Sequence, residues 1–163
     1  MSNVPEEHPA RLAARRSMEA VHAKDKDAWV ANFADDGVVE DPIGPSIFDP
    51  EGKGHRGKAA IAAFWDKLIG PNRVFFDLRE SFACGSECAN VGSVNTVLPN
   101  GAIMIVNGVF TYRVDAQGKV LALRVVGFGA ERVGDKDFTA MYVRDSSRPE
   151  PRDAPFVVFP ARG

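Results

Sequence analysis

Cysteine and histidine are scarce in this chain of 163 residues, which contains two cysteines and three histidines. Cys84 and Cys88 flank a predicted turn, and no histidine lies near them in the sequence. A structural zinc site needs about four such ligands, so this pattern argues against a metal centre. We predict free, reduced thiols, which are usual in the cytoplasm, and we expect no cofactor.

Long apolar runs and an excess of one charge are also absent. The net charge is -2 and the pI is near 5.9, so the chain offers no basic surface for nucleic acid. No apolar run is long enough to span a bilayer, and residues 1–9 lack the apolar core of a signal peptide. We expect a cytoplasmic protein with neither a nucleic-acid partner nor a membrane partner.

Helical patterns fill the first part of the chain, and apolar residues make up 45% of the whole, enough for one core. Apolar residues recur at helical spacing in 10–23, 26–33 and 57–69, and Asp25 is a candidate N-cap of the second helix. These segments predict three helices before Pro71.

The sequence pattern changes from helix to strand after Pro71. Runs rich in β-branched and aromatic residues, separated by turn signals, predict four strands at 74–83, 88–98, 102–114 and 120–133. Short turns between consecutive strands make an antiparallel meander, and the preceding helices must cover one of its faces. We therefore predict an α+β fold in which a curved antiparallel sheet wraps the helices into a cone with a cavity.

The end of the chain differs in composition from the rest. From Gly134 it is polar and rich in proline, which predicts an extension with little structure of its own. We therefore divide the chain into a domain at 1–133 and an extension at 134–163. The extension contains an apolar patch at 156–159, for which docking on the body, docking on a second subunit and a frayed tail all stay open.

Asp41 lies in the most informative stretch, where carboxylates stand next to apolar strand residues. The pattern predicts a short strand at 38–41, stopped by Pro42, which cannot donate a ladder hydrogen bond. Because side chains alternate along a strand, Asp41 shares a face with Val39, while Glu40 points the other way. A carboxylate beside apolar surface has a basicity suited to moving a proton at carbon. Asp41 is therefore a candidate catalytic base, and the alternative is an aspartate that only caps the turn.

Residues 10–133 resemble the ketosteroid isomerase-like branch of the nuclear transport factor 2-like superfamily, also called SnoaL-like. The most specific segments are Phe-Ala-Asp-Asp at 33–36 and Val-Glu-Asp-Pro-Ile-Gly at 39–44, with weaker similarity at 54–61 and 118–120. The resemblance implies the α+β cone, commonly a homodimer through the sheet. It also implies that the aspartate of the second segment is the base that shuttles a proton between the carbons on either side of an enolate.

This family holds the enolate oxygen with a tyrosine and a protonated aspartate, and the resemblance implies that both are replaced here. The tyrosine's position falls on Ser17 and the aspartate's near Phe110, although a bulge would bring Asn107 nearer. Tyr112 and Trp65 are candidate substitute donors, and the alternative for each is an aromatic residue that only fills the core. For Ser17, action through a bound water and a simple enlargement of the cavity both stay open.

We predict a predominantly apolar ligand pocket between the helices and one face of the sheet. Its predicted lining comes first from the helical part and then from even-numbered positions of the third strand: Ser17, Val21, Phe33, Phe64, Trp65, Met104, Val106, Phe110 and Tyr112.

Three functions stay open. The first is a cofactor-independent isomerase that moves a double bond in a 3-ketosteroid or a similar apolar ketone, with Asp41 as its base. The second is a non-catalytic binding module for a steroid-like apolar ligand, which the loss of both donors favours. The third, a polyketide cyclase or dehydratase, belongs to the same superfamily.

Overall fold

A computed structural model describes residues 8–46, 48–99 and 102–127, together with short strands at 132–133, 136–137 and 142–145. Three helices cover one face of the sheet, and two of them precede its first strand. They are α1 (Pro9–His22), α2 (Lys26–Ala31) and α3 (Lys58–Phe64), and α3 continues directly into a π-helical segment at Trp65–Ile69. No helix in these described ranges is long and apolar enough to cross a membrane.

The sheet is curled and open, and it confirms the predicted α+β class. Its strands are β1 (Phe33–Glu40), β2 (His55–Arg56), β3 (Arg73–Cys84), β4 (Glu87–Val97), β5 (Ala102–Val114) and β6 (Val120–Gly127). They lie in the order β2-β1-β6-β5-β4-β3. The pair of β1 and β6 is parallel and the other neighbours are antiparallel. The meander of β3 to β6 therefore forms as the sequence predicts.

Small residues let α1 lie close to the concave face of the sheet. Its buried positions recur at helical spacing and are Ala10, Ala13, Ala14, Ser17, Ala20 and Val21. The His8 imidazole caps the first turn by accepting a hydrogen bond from the backbone N–H of Ala10 at 3.2 Å. Because alanine and serine add little bulk, α1 packs on the sheet and still leaves space beside Ser17.

The second helix ends earlier than predicted, and the strand that follows begins earlier. Asp25 caps α2 as expected, since its carboxylate accepts from the backbone N–H of Ala28 at 2.9 Å. Phe33, predicted to end α2, instead begins β1 and pairs with Val120. The predicted turn at Gly37 is an irregularity within β1, where a Cβ would lie 2.9 Å from the Val120 carbonyl oxygen.

The third predicted helix is divided. Its α-helical part ends at Phe64, and the π-helical turn that follows widens the backbone before Gly70. The Lys24 ammonium donates to the carbonyl oxygen of Ile69, the last residue of this segment, and to that of Asn72 beyond it. The wider turn changes which side chains of this segment face the sheet.

The C-terminal part contains more strand than predicted. Strand β6 ends at Gly127 instead of 133, and β7 (Arg132–Val133) pairs with β8 (Lys136–Asp137). A further strand, β9 (Tyr142–Asp145), pairs with β5 at Ala102–Ile105, because β6 covers only the later part of that edge of β5. The predicted patch at 156–159 lies outside the described residues, and the division at 133 stays a prediction.

Candidate functional site

A cavity lies between the helices and the concave face of the sheet. The space between its walls is about 500 Å³ when the open mouth is included. The polar side chains on its wall are Ser17, Asp41, Thr96 and Tyr112. The remaining lining is aliphatic or aromatic, as predicted: Val21, Trp29, Phe64, Leu68, Ile69, Val74, Phe76, Val94, Phe110, Leu123 and Val125.

The cavity brings together five of the nine residues predicted to line it and the predicted base Asp41. These are Ser17 and Val21 of α1, Phe64 of α3, Asp41 after β1, and Phe110 and Tyr112 of β5. The even-numbered positions of β5 therefore face inward, as the alternation predicts. The side chain of Met104 lies outside the described part, although its backbone pairs with Thr96 of β4.

Three predicted lining residues do not lie on the cavity wall. Phe33 is fully buried in the core, where its ring meets the ring of Trp29 edge-on at 4.9 Å between centroids. Trp65 opens the π-helical segment and packs on Trp29 at 5.4 Å, so the wider turn presents Leu68 and Ile69 to the cavity instead. Val106 packs against the core outside the wall. The fully buried Trp29 ring takes the place that the prediction gave to Phe33 and Trp65.

Alternation also identifies the sheet residues that the prediction missed. Val74 and Phe76 of β3 and Val94 and Thr96 of β4 follow the same period of two that located Phe110 and Tyr112. The inward position of Trp29 had no comparable signal, because α2 has only six residues and its orientation depends on contacts distant in sequence.

Asp41 is aimed into the cavity by the way β1 ends. Val39 is fully buried, and Glu40 turns to the opposite face, where it pairs with the Arg124 guanidinium. The backbone N–H of Ile43 donates to the Val125 carbonyl at 3.0 Å and fixes the chain just beyond Asp41. Asp41 is thus the first residue after the strand, not its last member, and it keeps the face predicted from alternation.

Burial raises the pKa of Asp41 to about 6, because an apolar wall disfavours the charged form. None of the described residues donates a hydrogen bond to its carboxyl group or forms an ion pair with it. The residue keeps some accessible surface because it borders the cavity. A carboxylate in such a position is a base of near-neutral strength that is open to a ligand.

Ser17, Trp29 and Tyr112 form a hydrogen-bonded group on the same wall. Trp29 Nε1 donates to Ser17 Oγ at 3.0 Å, and Tyr112 Oη lies 3.3 Å from the same oxygen. Burial raises the pKa of Tyr112 to about 12, the hydrogen bond to Ser17 opposes that shift, and the charge of Asp41 adds to it. The phenol therefore stays protonated, and it lies close enough to Asp41 for the two groups to interact.

The two positions at which the resemblance implies replaced donors both lie on the cavity wall. Phe110 pairs with Asn90 and Val125 and presents its ring to the cavity. Asn107, the alternative placement, pairs with Ser93 at an odd-numbered position of β5, on the face opposite to that of Phe110. The wall is therefore apolar where the resemblance places an acid.

Residues 14–123 match the sequence profile of the SnoaL-like domain. The chain belongs to the SnoaL-like family. Together with the similarity to a solved ketosteroid isomerase, this match confirms the resemblance to the ketosteroid isomerase-like branch of the nuclear transport factor 2-like superfamily. A search of curated protein sequences finds no match.

Several solved structures share the fold. The Delta 5-3-ketosteroid isomerase from Mycobacterium sp. is 44% identical, with a TM-score of 0.71 over 73% of this chain and 92% of that chain. RV0760c from Mycobacterium tuberculosis, in complex with estradiol-17beta-hemisuccinate, is 38% identical, with a TM-score of 0.70 over 73% and 93%. A computationally designed 17-OHP binder is also 38% identical, with a TM-score of 0.71 over 73% and 91%.

Proposed function

We propose that this SnoaL-like protein is a steroid Δ-isomerase that moves a double bond in a 3-ketosteroid or a similar apolar ketone, without a cofactor. One observation carries the proposal: Asp41, with a pKa of about 6, faces a predominantly apolar cavity between the helices and the sheet. The cavity offers the fused rings an aliphatic and aromatic wall, and it places a base beside them.

The reaction needs one base that takes a proton and returns it. Asp41 removes a proton from the carbon between the ketone and the double bond, and the electron pair moves onto the ketone oxygen as a dienolate. The protonated Asp41 then returns the proton to the far carbon of the former double bond, which leaves a conjugated ketone. At pH 7 a pKa of about 6 gives roughly ten carboxylates for each carboxylic acid, so the base is mostly ready and its conjugate acid remains a competent donor.

The similarity to solved structures supports the substrate class. A relative with 44% identity is a Delta 5-3-ketosteroid isomerase, and a relative with 38% identity binds a steroid derivative. The test is the absorbance increase on conjugation of a 5-ene-3-ketosteroid, measured with purified protein beside a thermal-shift series with the same steroid. Turnover above the uncatalysed rate supports the isomerase, and folded protein without turnover contradicts it.

A binding module without catalysis is the second candidate, and Phe110 favours it. A site with a base but without the family's usual donors gives up a factor of about 10²–10³ for each donor lost, and the wall at Phe110 is apolar. A relative with 38% identity is a designed 17-OHP binder. A thermal shift with steroid but no turnover supports this second candidate.

We also propose that the convex face of the sheet binds a second copy of the chain, the homodimer that the resemblance implies. Large apolar side chains are exposed there: Val126 is 53% exposed and pairs with Val109, which is itself partly exposed. Phe75 and Phe82 on β3 are also exposed. Such a surface is typical of protein contacts. The location in the cytoplasm stays a prediction.

A further inference from the structure

One hydrogen bond of the group on the cavity wall has a fixed direction. An indole N–H can donate but cannot accept, so the contact at 3.0 Å between Trp29 Nε1 and Ser17 Oγ is a donation to the serine. Ser17 is fully buried and lies on the α1 face that borders the cavity. Trp29 is equally buried, so water does not compete for its indole hydrogen.

Counting the hydrogens shows that one of them is left for the cavity. Ser17 and Tyr112 own one hydroxyl hydrogen each, and only one hydrogen can lie on the 3.3 Å line between their oxygens. Among the described residues, neither hydroxyl donates to any third group. The usual back-bond of a helical serine to the carbonyl four residues earlier is hindered, because the Ala13 carbonyl already accepts from Asn32 Nδ2 at 2.9 Å. One O–H group therefore remains for a ligand.

The direction of the hydrogen bond between Ser17 and Tyr112 decides which hydroxyl keeps a free hydrogen. A hydroxyl that accepts a hydrogen bond becomes a better donor, so the indole of Trp29 strengthens donation from Ser17 to Tyr112. A phenol is also more acidic than an alcohol and forms the stronger hydrogen bond with a developing negative charge. Both effects direct the chain from Trp29 through Ser17 to Tyr112, and then from Tyr112 into the cavity.

We propose that Tyr112 is the catalytic donor that holds the ketone oxygen and the enolate formed from it, and that Ser17 and Trp29 are positioning residues that orient its hydrogen. The inference rests on the proposed isomerase function. While Asp41 takes the proton from carbon, Tyr112 keeps its own proton and donates a hydrogen bond to the oxygen that gains charge. The donor thus lies on β5, whereas the resemblance places the tyrosine of the family at position 17 on α1.

The test separates donation to oxygen from turnover by using two steroids that differ in one oxygen. Estradiol carries a phenol oxygen at the position of the enolate oxygen, and estra-1,3,5(10)-trien-17β-ol lacks it. We expect the natural protein to bind estradiol tighter by about 5-fold or more, the value of a net hydrogen bond. Tyr112→Phe should reduce that preference to near 1-fold and lower kcat on the 5-ene-3-ketosteroid by about 10²-fold, with little change in KM.

The positioning residues have matched controls. Ser17→Ala should reduce the estradiol preference and kcat, and Ser17→Thr, which keeps the hydroxyl, should restore both. Ser17→Ala in the Tyr112→Phe background should lower kcat by less than about 2-fold more, because a residue that acts through Tyr112 has nothing left to orient. Trp29→Phe should reduce the preference, whereas Trp65→Phe, in the same aromatic cluster but without contact to Ser17, should not.

Several results overturn the inference. The inference is wrong if Tyr112→Phe folds and keeps the estradiol preference, or if Ser17→Ala removes the preference while Tyr112→Phe keeps it. It is also wrong if the effects of the two substitutions on kcat are additive. A natural protein that prefers estradiol through Tyr112 but never turns over the ketosteroid refutes the isomerase function and leaves the donor assignment intact. Turnover that Tyr112→Phe does not change refutes the donor assignment and leaves the isomerase function intact. Binding of neither steroid by folded protein contradicts both.

Discussion

The two faces of the sheet place neighbouring carboxylates in opposite surroundings. Glu40 lies on the outer side of β1 and pairs with the exposed Arg124. Asp41, the next residue, faces the apolar cavity, where burial raises its pKa to about 6. The two residues carry the same functional group, so the chemistry of each is set by the face on which it lies. The inner face favours proton transfer, and the outer face favours a solvated ion pair.

Exchanging each carboxylate for its amide gives the largest expected contrast between the faces. Asp41→Asn keeps the shape and removes the base, so turnover of a 5-ene-3-ketosteroid should fall by about 10²-fold or more. The affinity for the steroid should change little, because the amide occupies the same space. Steady-state kinetics and steroid titration measure the two effects.

The matched control for this exchange is Glu40→Gln, which removes the adjacent carboxylate and its pairing with Arg124. We expect turnover to stay within about 2-fold, since surface ion pairs contribute about 0–1 kcal/mol to stability and this one faces away from the cavity. Equal losses in both variants, or unchanged turnover in Asp41→Asn, would contradict the assignment of the base.

Stability should respond in the direction opposite to activity. An acid whose folded pKa lies above its unfolded value destabilises the folded state at pH above the folded pKa, and this effect disappears below the unfolded pKa. For Asp41 the rise from 3.8 to about 6 sets a ceiling of about 3 kcal/mol, which we reduce to about 1–2 kcal/mol because the carboxylate borders a cavity open to solvent. Asp41→Asn should therefore raise Tm by a few degrees at pH 7 and by less at pH 4. A lower Tm at pH 7 in a thermal scan would show that the carboxylate is not desolvated.

The pH profile of activity should have an acid limb only. The active form of Asp41 is the carboxylate, so kcat/KM should rise through a midpoint near pH 6 and fall about 10-fold for each unit below it. Tyr112 stays protonated, with a pKa of about 12, so no loss is expected up to pH 10. Glu40→Gln should leave the midpoint unchanged. A midpoint near pH 4 in kcat/KM would show that the catalytic base is a carboxyl group that the apolar wall does not desolvate.

The local rules of strands and helices predicted most of the fold. Alternation along β5 placed Phe110 and Tyr112 inward, and the helical spacing of α1 placed Ser17 and Val21 at the cavity. The strand end at Pro42, and the alternation that puts Asp41 on the same face as Val39, predicted the orientation of Asp41. These features depend on periods of two and of about 3.6 residues, which a sequence displays directly.

Tertiary contacts decided the features that the sequence did not predict. Trp29 enters the cavity because α2 is short and its ring is held among Phe33, Phe64 and Trp65. The π-helical turn moved Trp65 off the wall, and no local signal marks such a turn. The irregularity in β1 around Gly37 extended the strand back to Phe33, because the parallel partner β6 continues the ladder there. In this last case the pairing with β6 overrode the local turn signal at Gly37.

The smallest effect on activity should come from the outer face. Val126 is 53% exposed, and it points away from the cavity that its neighbour Val125 lines. If a second copy packs on this face, Val126→Asp buries a charge in the contact and should yield monomers, because an unpaired buried charge is strongly unfavourable. Turnover per subunit should change by less than about 2-fold. Ala59→Asp is the control, since it adds the same charge at an exposed position of α3 and should leave the assembly unchanged. Light scattering after size exclusion measures the mass, and a natural protein that is monomeric at about 100 μM would remove the proposed contact while leaving the argument for Asp41 intact.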